Sequence, residues 1–298
     1  LDDNDIEQSI EAGTLAERLG NVELLSYAWD ARGMAEFRRG NFDAARTWEA
    51  RRFDLIGDLT DPDHISDMHV SLIPTSSATG RIDEARRLAT EHDKLVEHLT
   101  PHHRLHGVAC MLEVEELAGN WRRIDALEPR TAAAVAANRT TPCVRNARSL
   151  LLTAIAAEVL GDTMRSRELE AAAGELEGVD YGLTFTAPRA RLALVRGDLD
   201  ALEKLLPDAD SFRLQTWFEL PAAAIRLDGL AVIADEASVE SEGLLGAGGY
   251  LEPFRLRALG IIREDQNLIA EADRNFRALR LDWHAAQTPR MLELRRGN

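Results

Sequence analysis

The fold class predicted by the sequence is all-α, an α-solenoid of about seven helical hairpins wound into a right-handed superhelix. Three observations predict it. A glycine-and-polar corner recurs at Arg39-Gly40-Asn41, Thr79-Gly80-Arg81, Ala118-Gly119-Asn120, Leu160-Gly161-Asp162 and Arg196-Gly197-Asp198, in steps of 40, 39, 42 and 36 residues; a period in this range is the signature of stacked helical units. Each corner carries an apolar run of helical spacing on both sides. Ala, Leu, Glu and Arg dominate a chain of 298 residues with only 10 prolines, a composition of good helix formers. A hairpin of this kind exposes an apolar face that only its neighbours cover, so residues 1–298 are expected to form one continuous array.

The elements follow in order. Asp5 to Leu19 reads as one amphipathic helix ending at Gly20-Asn21. As residues 1–20 of a chain that opens on Leu1, it is expected to be a half-hairpin left from an upstream repeat of a longer protein. The first complete hairpin spans Val22 to Arg38 and Phe42 to Ile56. Asn41 and Asp43 stand where a helix start wants side-chain acceptors for its free amides. The second spans His64 to Thr79 and Ile82 to Leu99, the third His102 to Ala118 and Trp121 to Ala137, the fourth Val144 to Leu160 and Met164 to Leu176. The fifth, Leu183 to Arg196 and Leu199 to Leu205, is shorter and breaks at Pro207. Two weaker corners extend the series in steps of 37 and 31 residues: Ala234-Asp235 after Phe212 to Ile233, and Glu264-Asp265 after Pro253 to Arg263. Gly243 to Gly249 holds four glycines and reads as a loop. A last helix within residues 283–295 caps the stack, and its basic end, Arg295-Arg296, suits the negative pole of a helix dipole.

Composition narrows the function. A net charge of −16 argues against direct nucleic-acid binding, which leans on Lys and Arg to neutralise phosphates, and against an anionic membrane surface. No apolar run reaches the roughly 18 residues that a membrane span needs. No signal peptide opens the sequence. With only Cys110 and Cys143, a disulfide framework is not the stabilising device, and a cytoplasmic location is expected.

The first hairpin resembles a tetratricopeptide repeat: Trp29, small Gly33 four residues on, corner Gly40, and Ala45 five beyond it. The small position recurs as Ala154, Ala190 and Ala258 but is Ile73, Leu112 and Leu227 elsewhere. The post-corner alanine recurs as Ala85 and Ala270 but is Ile124, Ser166, Leu202 and Val239 elsewhere. The chain is therefore similar to these repeats without following their consensus, and the missing small residues imply looser or re-angled hairpins. A wider resemblance rests on His102–His106, Thr141–Ala147, Ala187–Leu192 and Asp282–Thr288. These segments look like parts of the C-terminal helical-repeat regions of large bacterial signalling ATPases, either cyclase-linked or LuxR-type transcriptional regulators. That resemblance implies a sensor or scaffold arm whose partners include the ATPase or cyclase domains upstream. No phosphate-binding glycine loop and no metal-carboxylate cyclase motif occurs here.

Two groups of residues stand out. His92, His98, His102, His103 and His106 place five of the eight histidines within fifteen residues. His102 and His106 lie four apart on one helix face, a spacing that suits zinc, with His98 or Glu97 across Pro101 as third ligand. There is no hydrolase-type glutamate after the first histidine, and the plainer reading is packing or solvation at a hairpin junction. A proton-sensing role is the remaining alternative. The second group is arginine on helix one of the later repeats. Arg148, Arg191 and Arg255 fall at groove positions and form a candidate basic strip for an acidic peptide or anionic ligand. The competing reading pairs them with neighbours such as Glu252 or Asp228. Cys110 and Cys143 read as buried, inert thiols.

The expected function is that of a non-enzymatic interaction and regulatory module in signal transduction, without cofactor, binding a protein or peptide. The alternative is a receptor for a small-molecule effector held in the concave groove, as understood for the maltose-operon activator type of regulator.

Overall fold

The structure is a computed structural model that describes residues 3–176, 183–206, 216–233 and 249–297. These residues are all-helical, with no strand among them. The first half holds α1 (Asp3–Leu19), α2 (Val22–Arg38), α3 (Phe42–Phe53), a 3-10 turn (Ile56–Asp58), α4 (Pro62–Ala78), α5 (Ile82–Val96), α6 (Pro101–Ala118) and α7 (Trp121–Asn138). The second holds α8 (Val144–Leu160), α9 (Thr163–Gly174), α10 (Leu183–Arg196), α11 (Leu199–Leu205), α12 (Glu219–Ile233), α13 (Glu252–Ile262), α14 (Gln266–Ala278), α15 (Asp282–Ala286) and α16 (Thr288–Gly297). No helix among the described residues is long and apolar enough to cross a membrane.

One backbone device makes the corners. At Gly40 the amide donates to the carbonyl three residues back (Phe37), and the next amide, of Asn41, donates five back (Glu36). The same pair of bonds recurs at Gly20, Gly80, Gly119, Gly161 and Gly197, all with φ between 62° and 94°. This left-handed closure satisfies carbonyls that the helix end leaves free, and glycine adopts it without steric cost. Glu264 (φ 55°) and Arg280 (φ 58°) make the same two bonds without glycine. The expected Glu264-Asp265 corner is therefore a full member of the series, and Arg280 adds one that the glycine pattern misses.

Helix starts are capped by side chains. Asn21 accepts from the Leu24 amide at 3.0 Å, Asp162 from Arg165 at 3.0 Å, and Asp198 from Ala201 at 3.0 Å. Asn41 departs from its expected role: it makes no cap bond, and its amide turns back to donate to Glu36 Oε2 at 2.9 Å. The capping helix expected over residues 283–295 is two helices that meet at Gln287. Pro289 has no amide for the Ala285 carbonyl and its ring crowds it, which favours the break here. The Ala234-Asp235 corner, Phe212, Pro207 and most of the 243–249 loop lie outside the described residues.

From α1 to α9 each helix packs on the next, and α4, α6, α8, α10, α12 and α13 also pack in succession on one another. The central helices are buried along most of their length, Arg145–Ala157 of α8 and Leu220–Val232 of α12 among them. The core is one contiguous apolar cluster running from Phe37 to Met291. Neighbour stacking is not the whole architecture. The Tyr250 amide donates to Ala78 O at 3.0 Å, and its hydroxyl to Leu117 O at 2.9 Å, 133 residues away. His284 Nε2 donates to the same Leu117 carbonyl at 3.0 Å, so that nitrogen carries the proton. Trp283 meets Trp121 edge-on at 5.2 Å and Arg280 donates to Asp83 at 2.7 Å. Trp217 packs edge-on against Phe37, and Arg290 donates to Val195 O. The C-terminal third thus closes over the corner ends of the earlier hairpins.

Candidate functional site

Four places hold side chains with chemistry beyond packing, and each is built from a different part of the helical array.

The first is the arginine strip. Arg148 is 2% exposed and paired with Glu116, with Glu113 3.8 Å away. Arg145 forms a bidentate pair with Glu113 at 2.9 and 3.0 Å. The Phe218 ring lies over both guanidinium groups, at 5.1 Å from Arg145 and 5.2 Å from Arg148. One repeat further, Arg191 donates to Asp228 at 2.7 Å and lies 5.9 Å from the Trp283 ring. Asp228 also accepts from Arg257 at 2.5 Å, while Arg257 donates to His284 O and is flanked by Phe254 and Phe276. Arg255 sits on the opposite side of α13, partly exposed and held by Glu252 at 3.0 and 3.2 Å. The inward series is therefore Arg148, Arg191 and Arg257, each answered by a carboxylate. The cavity beside Arg148 measures about 30 Å³ and that beside Arg191 about 10 Å³. Ligand pockets run to roughly 300–1,000 Å³, so these spaces hold a water at most.

Burial pushes the Glu116 carboxyl above its ordinary range despite Arg148. Asp228 goes the other way: burial raises it, but Arg257 and Arg191 together outweigh that and hold it below the ordinary range. Two cations on one carboxylate win where one does not.

A second polar knot lies under α2 and α3. Arg52 is fully buried and donates to Ser26 (3.0 Å), Asp30 (2.7 Å), Ser71 (3.0 Å) and Asp67 (2.5 Å). Glu49, also fully buried, lies 3.6 Å from it with both carboxylate oxygens lacking a hydrogen-bond partner. One guanidinium faces three carboxyl groups. The least solvated of them, Glu49, is pushed well above its ordinary range by burial and then by Asp30. Sequence spacing gave no warning of this knot, because its members are drawn from three helices.

The third place is the outer face of α1 and α2. Among the described residues, Ile10, Leu15, Leu19, Leu24 and Tyr27 are five of the seven large apolar side chains left exposed. Leu15 is 55% exposed, Tyr27 49% and Leu24 48%. Leu15, Leu24 and Tyr27 border a cleft of about 660 Å³ floored by Ala12, Ala16, Ala28, Ala31 and Ala35. Alanine floors the cleft because Cβ-only side chains leave room between the two helices. The charged residues of its lining are Asp5, Asp30 and Arg38, and along its length α1 carries Asp5, Glu7, Glu11 and Glu17 against Arg18.

The histidines divide. His92 is buried and bonded to Ser66 at 2.8 Å, and burial then His69 lower it to about 3. His103 is engaged by Thr100 at 2.7 Å and Asp63 at 3.0 Å. The His102 and His106 rings lie 4.3 Å apart between centres, tilted by 52°. The residue brought to them is neither His98 nor Glu97 but Cys143, whose Sγ lies 3.5 Å from His106 Nε2. Cys110 is a buried thiol raised to about 12 by burial, whereas Cys143 is partly exposed. The signal for Cys143 is the repeat itself. Position 143 begins α8 as positions 102–106 begin α6, and successive first helices lie side by side. No family model matches this chain, and no curated protein matches it.

Proposed function

We propose that the chain is a non-enzymatic interaction module, a TPR-like α-solenoid arm of about seven hairpins in a right-handed superhelix that docks an amphipathic helix on the outer face of α1 and α2. The carrying observation is the cleft of about 660 Å³ with Leu15, Leu24 and Tyr27 on its border. A contiguous exposed apolar patch on a charged chain marks a contact surface. A helix is the occupant proposed, since each helix from α2 to α8 packs on the helices before and after it, whereas α1 packs on α2 alone among its sequence neighbours. The net acidic charge of α1 favours basic residues on that partner. The arginines expected to grip a ligand are spent on internal carboxylates, and the spaces beside them are water-sized; this favours the docking reading over the small-molecule receptor. In the signalling-ATPase setting that the sequence resembles, the docked helix belongs to the upstream switch. Docking then regulates by favouring one of two states of that switch.

The test is a photo-crosslinking amino acid at Tyr27, with Met164, exposed on α9, as control site, in the cells that make the protein. Crosslinks from Tyr27 to a basic-flanked helical segment, lost in Leu15→Glu, support the reading. Crosslinks equal at both sites, or unaffected by Leu15→Glu, overturn it.

A further inference from the structure

We propose that His102, His106 and Cys143 form a zinc site that ties the start of α6 to the start of α8. Among the described residues, these three present one donor atom each with all donors within 4.8 Å of one another. Tetrahedral zinc with nitrogen at about 2.0–2.1 Å and sulfur at about 2.3 Å sets a nitrogen–sulfur edge of about 3.6 Å. The His106 Nε2 to Cys143 Sγ separation is 3.5 Å, so this edge is already at length. His102 completes the face from one turn earlier on α6, where a four-residue step puts both imidazoles on the same side. Its Nδ1 is buried without a hydrogen-bond partner, an unspent polar atom beside two further donors.

The donor set selects the metal. Two imidazoles and a thiolate are borderline-soft ligands that suit zinc and discriminate against magnesium and calcium, which prefer oxygen. All three residues are partly exposed, so an ion can enter from solvent. The nearby Arg145 charge is partly offset by its bidentate pair with Glu113. Binding releases the Cys143 thiol proton to solvent, leaving a site of net charge +1. Three protein ligands leave a fourth position for water or for a donor from a bound partner.

The experiment uses the full chain, stripped with chelator under reducing conditions and titrated with Co²⁺, then with Zn²⁺ against a chromophoric chelator. The expected result is one equivalent of Co²⁺ with a thiolate-to-metal charge-transfer band, displaced by Zn²⁺. Cys143→Ser should abolish the band. His106→Ala should weaken Zn²⁺ by more than the ~10–100-fold already lost when only a supporting residue is removed. His103→Gln, whose ring is engaged by Thr100 and Asp63, should bind like the parent. Circular dichroism of each variant separates a lost site from a lost fold. No charge-transfer band in the parent chain, or a band that survives Cys143→Ser, overturns the proposal.

Discussion

Asp228 accepts hydrogen bonds from two buried arginines, Arg191 at 2.7 Å and Arg257 at 2.5 Å, and Asp228→Ala is the perturbation whose consequence can be worked furthest. The aspartate is 1% exposed and Arg257 is fully buried. Removing one partner of a buried pair costs about 3–5 kcal/mol, because the stranded charge keeps its desolvation penalty. Two stranded arginines do not double the figure. Arg257 keeps its bond to the His284 carbonyl, and effects on neighbours sharing one partner are not additive. The adjoining cavity of about 10 Å³ beside Arg191 holds one water at most, so solvent relieves little of the stranded charge. At about 2 °C per kcal/mol for a chain of this size, the thermal midpoint should fall by ~6–10 °C. The assay is a far-UV circular dichroism melt at neutral pH. The charge-free triple variant Arg191→Met, Asp228→Leu, Arg257→Met should regain most of the loss, since apolar replacements of a buried ionic group are tolerated. Because the folded Asp228 carboxyl is held low by its two arginines, its contribution is present above the unfolded value of about 3.9. It should fade only as pH falls below that. A shift under about 2 °C, or a triple variant no better than the single one, would refute the reasoning.

Other outcomes follow from single contacts. Glu49→Gln should be neutral or stabilising at pH 7. The folded Glu49 pKa is raised, so the parent chain should lose stability from about pH 4.3 upward while the variant does not, as midpoints across that range will show. Gly119→Ala combines a φ of 69° with a new Cβ 3.0 Å from Trp283, and should cost about 2–3 kcal/mol in denaturant melts. Gly161→Ala, with φ 94° and nothing within 4 Å, should cost about 1–2. Tyr250→Phe removes the 2.9 Å bond to Leu117 O, and because His284 still serves that carbonyl the loss should be only about 0.5–1.5 kcal/mol.

The corners and most helix spans were legible in the sequence because their causes are local. Val22–Arg38, Val144–Leu160 and Leu183–Arg196 run between the residues expected of them, each ended by a glycine that takes a positive φ. The corner at Arg280 escaped because a non-glycine residue occupies the left-handed position. What was not legible depends on contacts with no local signature. Tyr250 and His284 converge on Leu117 from 133 and 167 residues away, and nothing near either residue specifies that carbonyl. The inward arginine of α13 was misjudged by one alternation: Arg255 and Arg257 are two apart, about 200° around a helix, and only packing decides which faces in. At the histidines, half the cluster was visible as a four-residue step, and the cysteine was hidden because it comes from the next repeat.

That hidden partner belongs to a pattern that explains why so many charges are buried in an alanine- and leucine-rich stack. Apolar helix faces slide past one another with little penalty, so they do not fix which turn meets which. Polar pairs do, and their spacing here follows the repeat: Arg46 to Glu84 over 38 residues, Arg165 to Glu128 over 37, Arg191 to Asp228 over 37, Arg196 to Glu158 over 38. Arg145 to Glu113 and Arg148 to Glu116 each span 32. Each joins one hairpin to the next, where a one-turn slip of about 5.4 Å would break it. The buried pairs, Arg191 to Asp228 and Arg148 to Glu116, add little net stability but strongly disfavour arrangements that leave them unmatched. The partly exposed ones, such as Arg165 to Glu128, contribute less. His106 and Cys143 are 37 residues apart, the same step. They occupy the junction between α6 and α8 as the ion pairs occupy the others, so a metal bound there would pin the register by coordination where its neighbours pin it by charge.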